Sequence, residues 1–231
     1  ARFPGIRTLR MDYDTTRTKD SYEQILSAFA GEEADVLIGT QMIVKGHDFP
    51  NVTLVGVLDA DLSLYTDSYR SAETTFNMLT QVIGRAGRGQ NSGRAMIQTM
   101  VPEHQEIKLA ARQDYDGFYD LEVKLRQVQN DPPFGDLATI TFTGEEETAV
   151  LRGAAKFRDS LIACLKEPAY KEEICTVLGP APCAVPKINY HFRYRLTLRC
   201  RMSRNLRALI AHLLRQFSQD KLNRKVSAFA D

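Results

Sequence analysis

The sequence predicts an α/β fold, a parallel sheet with flanking helices, followed by a small, basic α+β domain. Three observations predict it. Apolar runs alternate with helical patterns through the first 130 residues, the order that builds a parallel sheet with helices over its faces. Asp131-Pro132-Pro133 then stops a long helical pattern, because proline lacks an N–H and disfavours helix at the residue before it. Beyond that point the charge balance reverses: residues 1–150 carry 14 Lys plus Arg against 23 Asp plus Glu, and residues 151–231 carry 16 against 6. The expected domains are therefore 1–130 and 131–231.

In chain order, Ile6–Met11 is a short strand. Ser21–Ala30 is a helix with Tyr22, Ile25, Leu26 and Phe29 on one face. Val36–Ile38 and Val52–Leu58 are continuous apolar runs, as suits parallel strands covered on both sides. Tyr69–Arg88 is expected as one long helix, Ala95–Thr99 as a strand, and Glu103–Gln129 as a second long helix. Past the prolines, Leu137–Phe142 is a strand and Glu145–Leu165 a helix whose acidic start, Glu145-Glu146-Glu147, suits the helix dipole. Phe192–Cys200 is an alternating strand, Ser203–Phe217 a helix with Ser203 as N-cap, and Val226–Ala230 a last strand. A split β-α-β arrangement fits this order. The Pro-rich segment 168–190 yields no assignment.

The composition, 43% apolar and 26% charged over 231 residues, is that of ordinary globular domains. No run of about 18 apolar residues exists, so no membrane span is expected. Nor is there a basic, then apolar, leader, and a cytoplasmic location is the expectation. The chain starts Ala1-Arg2-Phe3-Pro4 rather than with Met and reads as a piece of a longer protein. Cys164, Cys175, Cys183 and Cys200 form no C-x-x-C pair, so free thiols are expected rather than a metal site or disulfides.

Chemistry concentrates in two strings. In Gln81-Val82-Ile83-Gly84-Arg85-Ala86-Gly87-Arg88, a helix would place Gln81, Arg85 and Arg88 on one face. Two interior glycines cost a helix about 1 kcal/mol each relative to alanine. Close approach of backbone to a ligand is one reason to accept them, with two guanidiniums beside it to stabilise a transferring phosphoryl group. The plainer reading is a solvated helix end whose arginines favour the dipole. Upstream, Gly39-Thr40-Gln41-Met42-Ile43-Val44-Lys45-Gly46-His47-Asp48-Phe49-Pro50 follows a buried strand directly, where open α/β sheets bind ligands. Thr40 and Gln41 offer hydrogen-bonding groups, Gly46 allows backbone to approach a phosphate, and Asp48 has the chemistry to accept from a ribose hydroxyl. Taken alone, the loop is also readable as an ordinary polar βα turn, and His47 as structural.

Together the two strings resemble motifs V and VI of superfamily 2 helicases, in the second RecA-like lobe. The wording is most similar to the primosomal protein N-prime family of replication-restart DNA helicases. Phe3-Pro4-Gly5, Asp14-Thr15-Thr16, Val52-Thr53-Leu54-Val55, Arg70, Glu73, Gly93, Gln98, Thr99, Pro132-Pro133-Phe134 and Leu178-Gly179-Pro180-Ala181-Pro182 continue the resemblance. It departs at Asp131, where the family tends to carry an aromatic residue. It implies an ATP-dependent 3′-to-5′ DNA helicase that binds stalled forks and promotes primosome assembly. Carried over, Arg85 and Arg88 are expected at the γ-phosphate, with Gln81 positioning that face and Gly46 and Asp48 near the nucleotide. Thr40, with Gln41 and Lys45 beside it, is expected to meet the DNA backbone or to couple it to the nucleotide site. ATP and Mg²⁺ are implied cofactors, bound mainly by a first lobe whose G-x-x-x-x-G-K-[S/T] loop is absent from this sequence. Zinc is implied for the family but not for this stretch. Forked or single-stranded DNA, single-stranded DNA-binding protein and primosome loading proteins are the implied partners.

Two weaker signals remain. Tyr115, Phe118, Tyr119 and Leu121 would suit base stacking, but their helical spacing fits a core face better. In Phe192–Cys200 the even positions are apolar, and Arg193, Arg195 and Arg199 share the other strand face. That ladder suits phosphates or an acidic peptide, the alternative being a solvated face neutralised by carboxylates from elsewhere. A non-enzymatic DNA- or protein-binding module is thus a second reading of the chain. A nucleotide-binding regulator that has lost its motor is a third, opposed by the intact Arg85 and Arg88.

Overall fold

The structure is a computed structural model, and it describes residues 3–12, 14, 15, 19–40, 49–86 and 93–231. The chain divides into two compact units, Ala1–Tyr119 and Asp120–Asp231.

In the first unit, β1 (Thr8–Met11) pairs in parallel with β2 (Val36–Gly39), and α1 (Lys19–Ala30) makes the crossover that parallel pairing requires. Asp35 ties the start of this pair. Its carboxylate accepts from the Arg7 guanidinium at 2.6 and 3.2 Å and from the Arg7 N–H at 2.9 Å. Those bonds hold its pKa down to about 2. A second parallel pair joins β3 (Leu54–Val57) to β4 (Arg94–Ile97), with α2 (Asp61–Leu64) and α3 (Ser71–Ile83) between them. Among the described residues the parallel strands form two separate pairs rather than one continuous sheet.

Buried Asp61 fastens the start of α2 to the chain leaving β4. It accepts from the Thr99 hydroxyl and, at 2.7 Å, from the Met100 N–H. The Met100 N–H first, then Thr99, lowers its pKa against the opposing effect of burial. The core gathers Phe76 and Leu79 from α3, Ile107 and Ala110 from α4 (Gln105–Ala111), and Phe118 from α5 (Tyr115–Gln129).

The helix expected over Glu103–Gln129 is therefore two helices. Gln113 breaks it, with φ +55°, and Asp114 restarts it by accepting the Gly117 N–H at 2.9 Å, as a capping residue does. Nothing in the apolar spacing marks that break.

The second unit runs β5 (Asp136–Gly144), α6 (Glu147–Leu165), β6 (Cys175–Ile188), β7 (His191–Cys200), α7 (Arg204–Gln219) and β8 (Val226–Ala230). Its antiparallel sheet has the order β6-β7-β5-β8, a split β-α-β topology. Ile140 and Phe142 of β5 and Leu196, Leu198 and Cys200 of β7 pack with Phe157 and Leu161 of α6 and Leu206, Leu209, Leu213 and Phe217 of α7. Ser203 caps α7, its hydroxyl accepting the Leu206 N–H at 2.9 Å. The unassigned Pro-rich segment contains β6. Pro180, Pro182 and Pro186 are tolerated because β6 lies at the sheet edge, and two register shifts absorb them. Asn189 and Tyr190, both at positive φ, close the turn to β7.

Candidate functional site

Helix α3 ends at Ile83, so Gln81 lies in the helix and Arg85 in the turn that follows it. The turn tightens as it leaves: Gly84 N–H still donates to Thr80 O at 3.0 Å. Arg85 and Ala86 N–H then donate three residues back, to Val82 O (3.0 Å) and Ile83 O (3.1 Å). Glycine is not needed here for its backbone freedom, since Gly84 has φ −64°. A Cβ there would stand 3.2 Å from Thr80 O, the carbonyl one turn back, and in ordinary contact, 3.9 Å, with Gln113 Nε2. Gln81 is exposed in the last turn of α3, and Arg85 is half-buried just beyond it. Thr40 is exposed at the end of β2. Gln41, Lys45, Gly46, Asp48 and Arg88 lie outside the described residues.

Against the end of α3 lies a groove of about 340 Å³, floored by Phe76 and Gly84 and edged by Asn77, Gln81, Gln113 and Tyr115. The aromatic residues expected to share a core face divide. Phe118 is buried and stacks on Phe76 with ring centroids 4.1 Å apart. Tyr115 and Tyr119 turn outward, 59% and 54% exposed, with their rings 6.3 Å apart. Sequence reading missed Asn77 and Gln113 here. Asn77 is one turn before Gln81 and legible from helical spacing, whereas Gln113 arrives only through the break between α4 and α5.

The arginines of β7 occupy the sheet face opposite the helices, as strand alternation requires once Leu196, Leu198 and Cys200 enter the core. Hydroxyls flank two of them: Arg193 pairs across with Thr143, and Arg195 with Thr141. Arg199 is engaged locally. Its guanidinium lies 3.2 Å from the carboxylate of buried Asp131 and donates to Gln129 Oε1 at 3.1 Å. Asp131 thus supplies a carboxylate from outside the strand, for one rung of the ladder. Arg193 donates to Val185 O at 3.5 Å.

Cys175 and Cys200 offer no poised nucleophile. Burial pushes the Cys175 thiol up to about 12 and raises Cys200 as well, the reverse of what a reactive cysteine needs. Among the described residues no group of three or more His, Cys, Asp or Glu side chains gathers as a metal site. No helix among them is long and apolar enough to cross a membrane.

With this geometry in place, the comparisons with known proteins are specific. A helicase conserved C-terminal domain matches residues 2–90, and the primosomal protein N C-terminal domain matches residues 129–231. The chain is 41% identical over 218 residues to the replication restart protein PriA of Bacillus subtilis (strain 168), covering 94% of the chain and 26% of that relative. To the protein of the same name from Chlamydia muridarum (strain MoPn / Nigg) it is 37% identical over 229 residues, 99% of the chain and 29% of the relative. To that of Synechocystis sp. (strain ATCC 27184 / PCC 6803 / Kazusa) it is 40% identical over 197 residues, 85% of the chain and 23% of the relative. The chain spans about a quarter of the length of these relatives. An α/β helicase C-terminal lobe followed by an antiparallel-sheet domain with helices, the chain belongs to the replication restart protein PriA family, as its C-terminal region.

Proposed function

We propose that the chain supplies the second lobe and C-terminal domain of an ATP-dependent 3′-to-5′ DNA helicase acting at stalled forks. Arg85 and Arg88 reach from it to the γ-phosphate of ATP held with Mg²⁺ by a first lobe. The observation that carries this reading is the string Gln81 to Arg88 leaving the end of α3 in a unit that matches a helicase C-terminal domain. The residues here fit a lobe that completes a nucleotide site rather than one that encloses it. They bring guanidiniums and neutral amides, while the sequence has no G-x-x-x-x-G-K-[S/T] to cradle phosphates. Bound MgATP supplies the phosphoryl group. Arg85 and Arg88 neutralise charge developing on its oxygens, and Gln81 orients the arginines. Gly46 and Asp48 serve the nucleotide, and Thr40, Gln41 and Lys45 the DNA backbone.

The chain by itself is therefore expected to release phosphate from ATP no faster than background, with or without single-stranded DNA. Turnover by the purified chain that Arg88→Ala abolishes would overturn the division of labour between lobes.

A second activity is supported by the arginine face of β7. The reading is that Arg193 and Arg195, beside the hydroxyls of Thr143 and Thr141, bind DNA phosphates. Arg199 is also held by Asp131 and Gln129. The double variant Arg193→Glu/Arg195→Glu is expected to weaken DNA binding. It should flatten the log-log salt dependence by about 0.7–0.9 for each phosphate no longer neutralised, with circular dichroism confirming the fold. Unchanged affinity and slope would remove DNA from this face and leave an acidic protein tail, such as that of single-stranded DNA-binding protein, to be tested on it. Arg199→Glu is the wrong probe, because it sets a second carboxylate beside buried Asp131 and perturbs folding.

A further inference from the structure

We propose that the groove between the end of α3 and the α4–α5 turn receives a nucleobase. This rests on the reading of the chain as a motor lobe, but it concerns residues outside the arginine string.

The lining is selective. Asn77, Gln81 and Gln113 present solvent-exposed carboxamides along one shallow surface, and none of these side chains hydrogen-bonds to another described residue. Each amide offers donors and an acceptor side by side, the pattern that pairs with the edge of a purine or pyrimidine. Tyr115 supplies an exposed aromatic wall, held from behind by Phe76 at 6.3 Å between ring centroids. Phe76 is fixed in turn by its stack on Phe118. A flat ring thus meets a stacking surface on one side and hydrogen-bonding groups at its rim.

Among the described residues no Lys, Arg, Asp or Glu lines the groove, which argues against a phosphate, a carboxylate or an ammonium as its occupant. Helix and turn wall it, without the open strand edge that an extended peptide uses. Its volume, about 340 Å³, stands at the small end of ligand sites. Gly84 contributes only backbone to the lining. Gln113 lines the groove from the end of α4, where its left-handed backbone at φ +55° caps the helix, its N–H donating to Ala110 O at 3.0 Å and the Asp114 N–H to Leu109 O at 2.9 Å.

A base can come from ATP or from a DNA strand, and two binding arms separate these sources in the complete protein. One compares ATP with inorganic tripolyphosphate. The other compares oligothymidylate with an abasic strand of equal length. In one arm Tyr115→Ala should erase the advantage of the base-bearing ligand, by roughly fivefold to a hundredfold, while the base-free ligand binds as before. Tyr115→Phe should retain the advantage. Gln113→Asn tolerates the left-handed backbone and withdraws the amide by one methylene. It should reduce the same advantage, and it serves as the test if Tyr115→Ala fails to fold. A change confined to the ATP arm assigns the groove to the nucleotide, and one confined to the DNA arm assigns it to the strand. Wild-type base preference in both arms for Tyr115→Ala and Gln113→Asn overturns the proposal. Because the readout is affinity rather than turnover, that result leaves the roles of Arg85 and Arg88 untouched, and their failure would leave the groove untouched.

Discussion

Arg88→Ala in the complete protein is expected to lower kcat for ATP by about a thousandfold to a hundred-thousandfold while leaving DNA affinity nearly unchanged. The magnitude follows from what a transferring phosphoryl group demands of its surroundings. Charge spreads over its oxygens as the bond to the leaving group loosens, and a positioned guanidinium meets that charge in a site from which water is excluded. A lysine would not replace it, because a single ammonium lacks the planar fork that meets two oxygens at once. Arg85→Ala is expected to act in the same direction with a smaller loss. Arg85 is half-buried where α3 tightens into its final turn, so truncation there also removes packing. The measurement is steady-state phosphate release at saturating DNA, paired with anisotropy of a labelled strand in the absence of ATP. A normal rate with abolished DNA binding would move Arg88 from the nucleotide to the strand.

How far the sequence could be read depended on whether local signals acted alone. Helix α7 was legible to its first residue, because Ser203 carries a capping hydroxyl and the apolar residues behind it repeat at helical spacing. Strand β7 was legible for the same kind of reason, its strict alternation having one arrangement that buries Leu196 and Leu198. Reading failed where a backbone choice overrode side-chain pattern. The apolar spacing continues straight through Gln113, yet its positive φ splits one expected helix into α4 and α5. The same break turns Tyr115 away from the core that Phe118 enters. In α3 the spacing extends to Arg88, but the described helix stops at Ile83 as hydrogen bonds shorten to three-residue steps. At β6, edge position licensed prolines that would bar a central strand. The partner of Arg199 was hidden for another reason: Asp131 is 68 positions away in sequence, and only the folded sheet brings its carboxylate to that rung.

Phe142→Ala should destabilise the second unit by about 3–5 kcal/mol, with the folded sheet content unchanged at low denaturant. Phe142 is fully buried at the centre of β5, between β7 and β8. Phe157 of α6 and Phe217 of α7 meet it edge-on, with ring centroids at 5.5 and 5.4 Å. The three rings thus join both helices to the sheet. Such edge-to-face pairs add about 0.5–1.5 kcal/mol beyond the area they bury. The cluster resists collapse into the space an alanine leaves. Gly153 of α6 already approaches Phe217 so closely that a Cβ there would stand 3.1 Å from the ring, so α6 is held off by a ring rather than free to close on a void. Domains of this size are stable by about 5–15 kcal/mol, so the loss is a large share of the total. Phe229→Ala is the matched control: the same substitution in the same sheet, at a residue 43% exposed on β8, expected to cost well under half as much. Urea unfolding of the chain followed by far-ultraviolet circular dichroism measures both. The Phe142 variant should unfold at lower urea with an unchanged slope. Equal midpoints for the two variants would mean that the three rings do not form the centre of this unit.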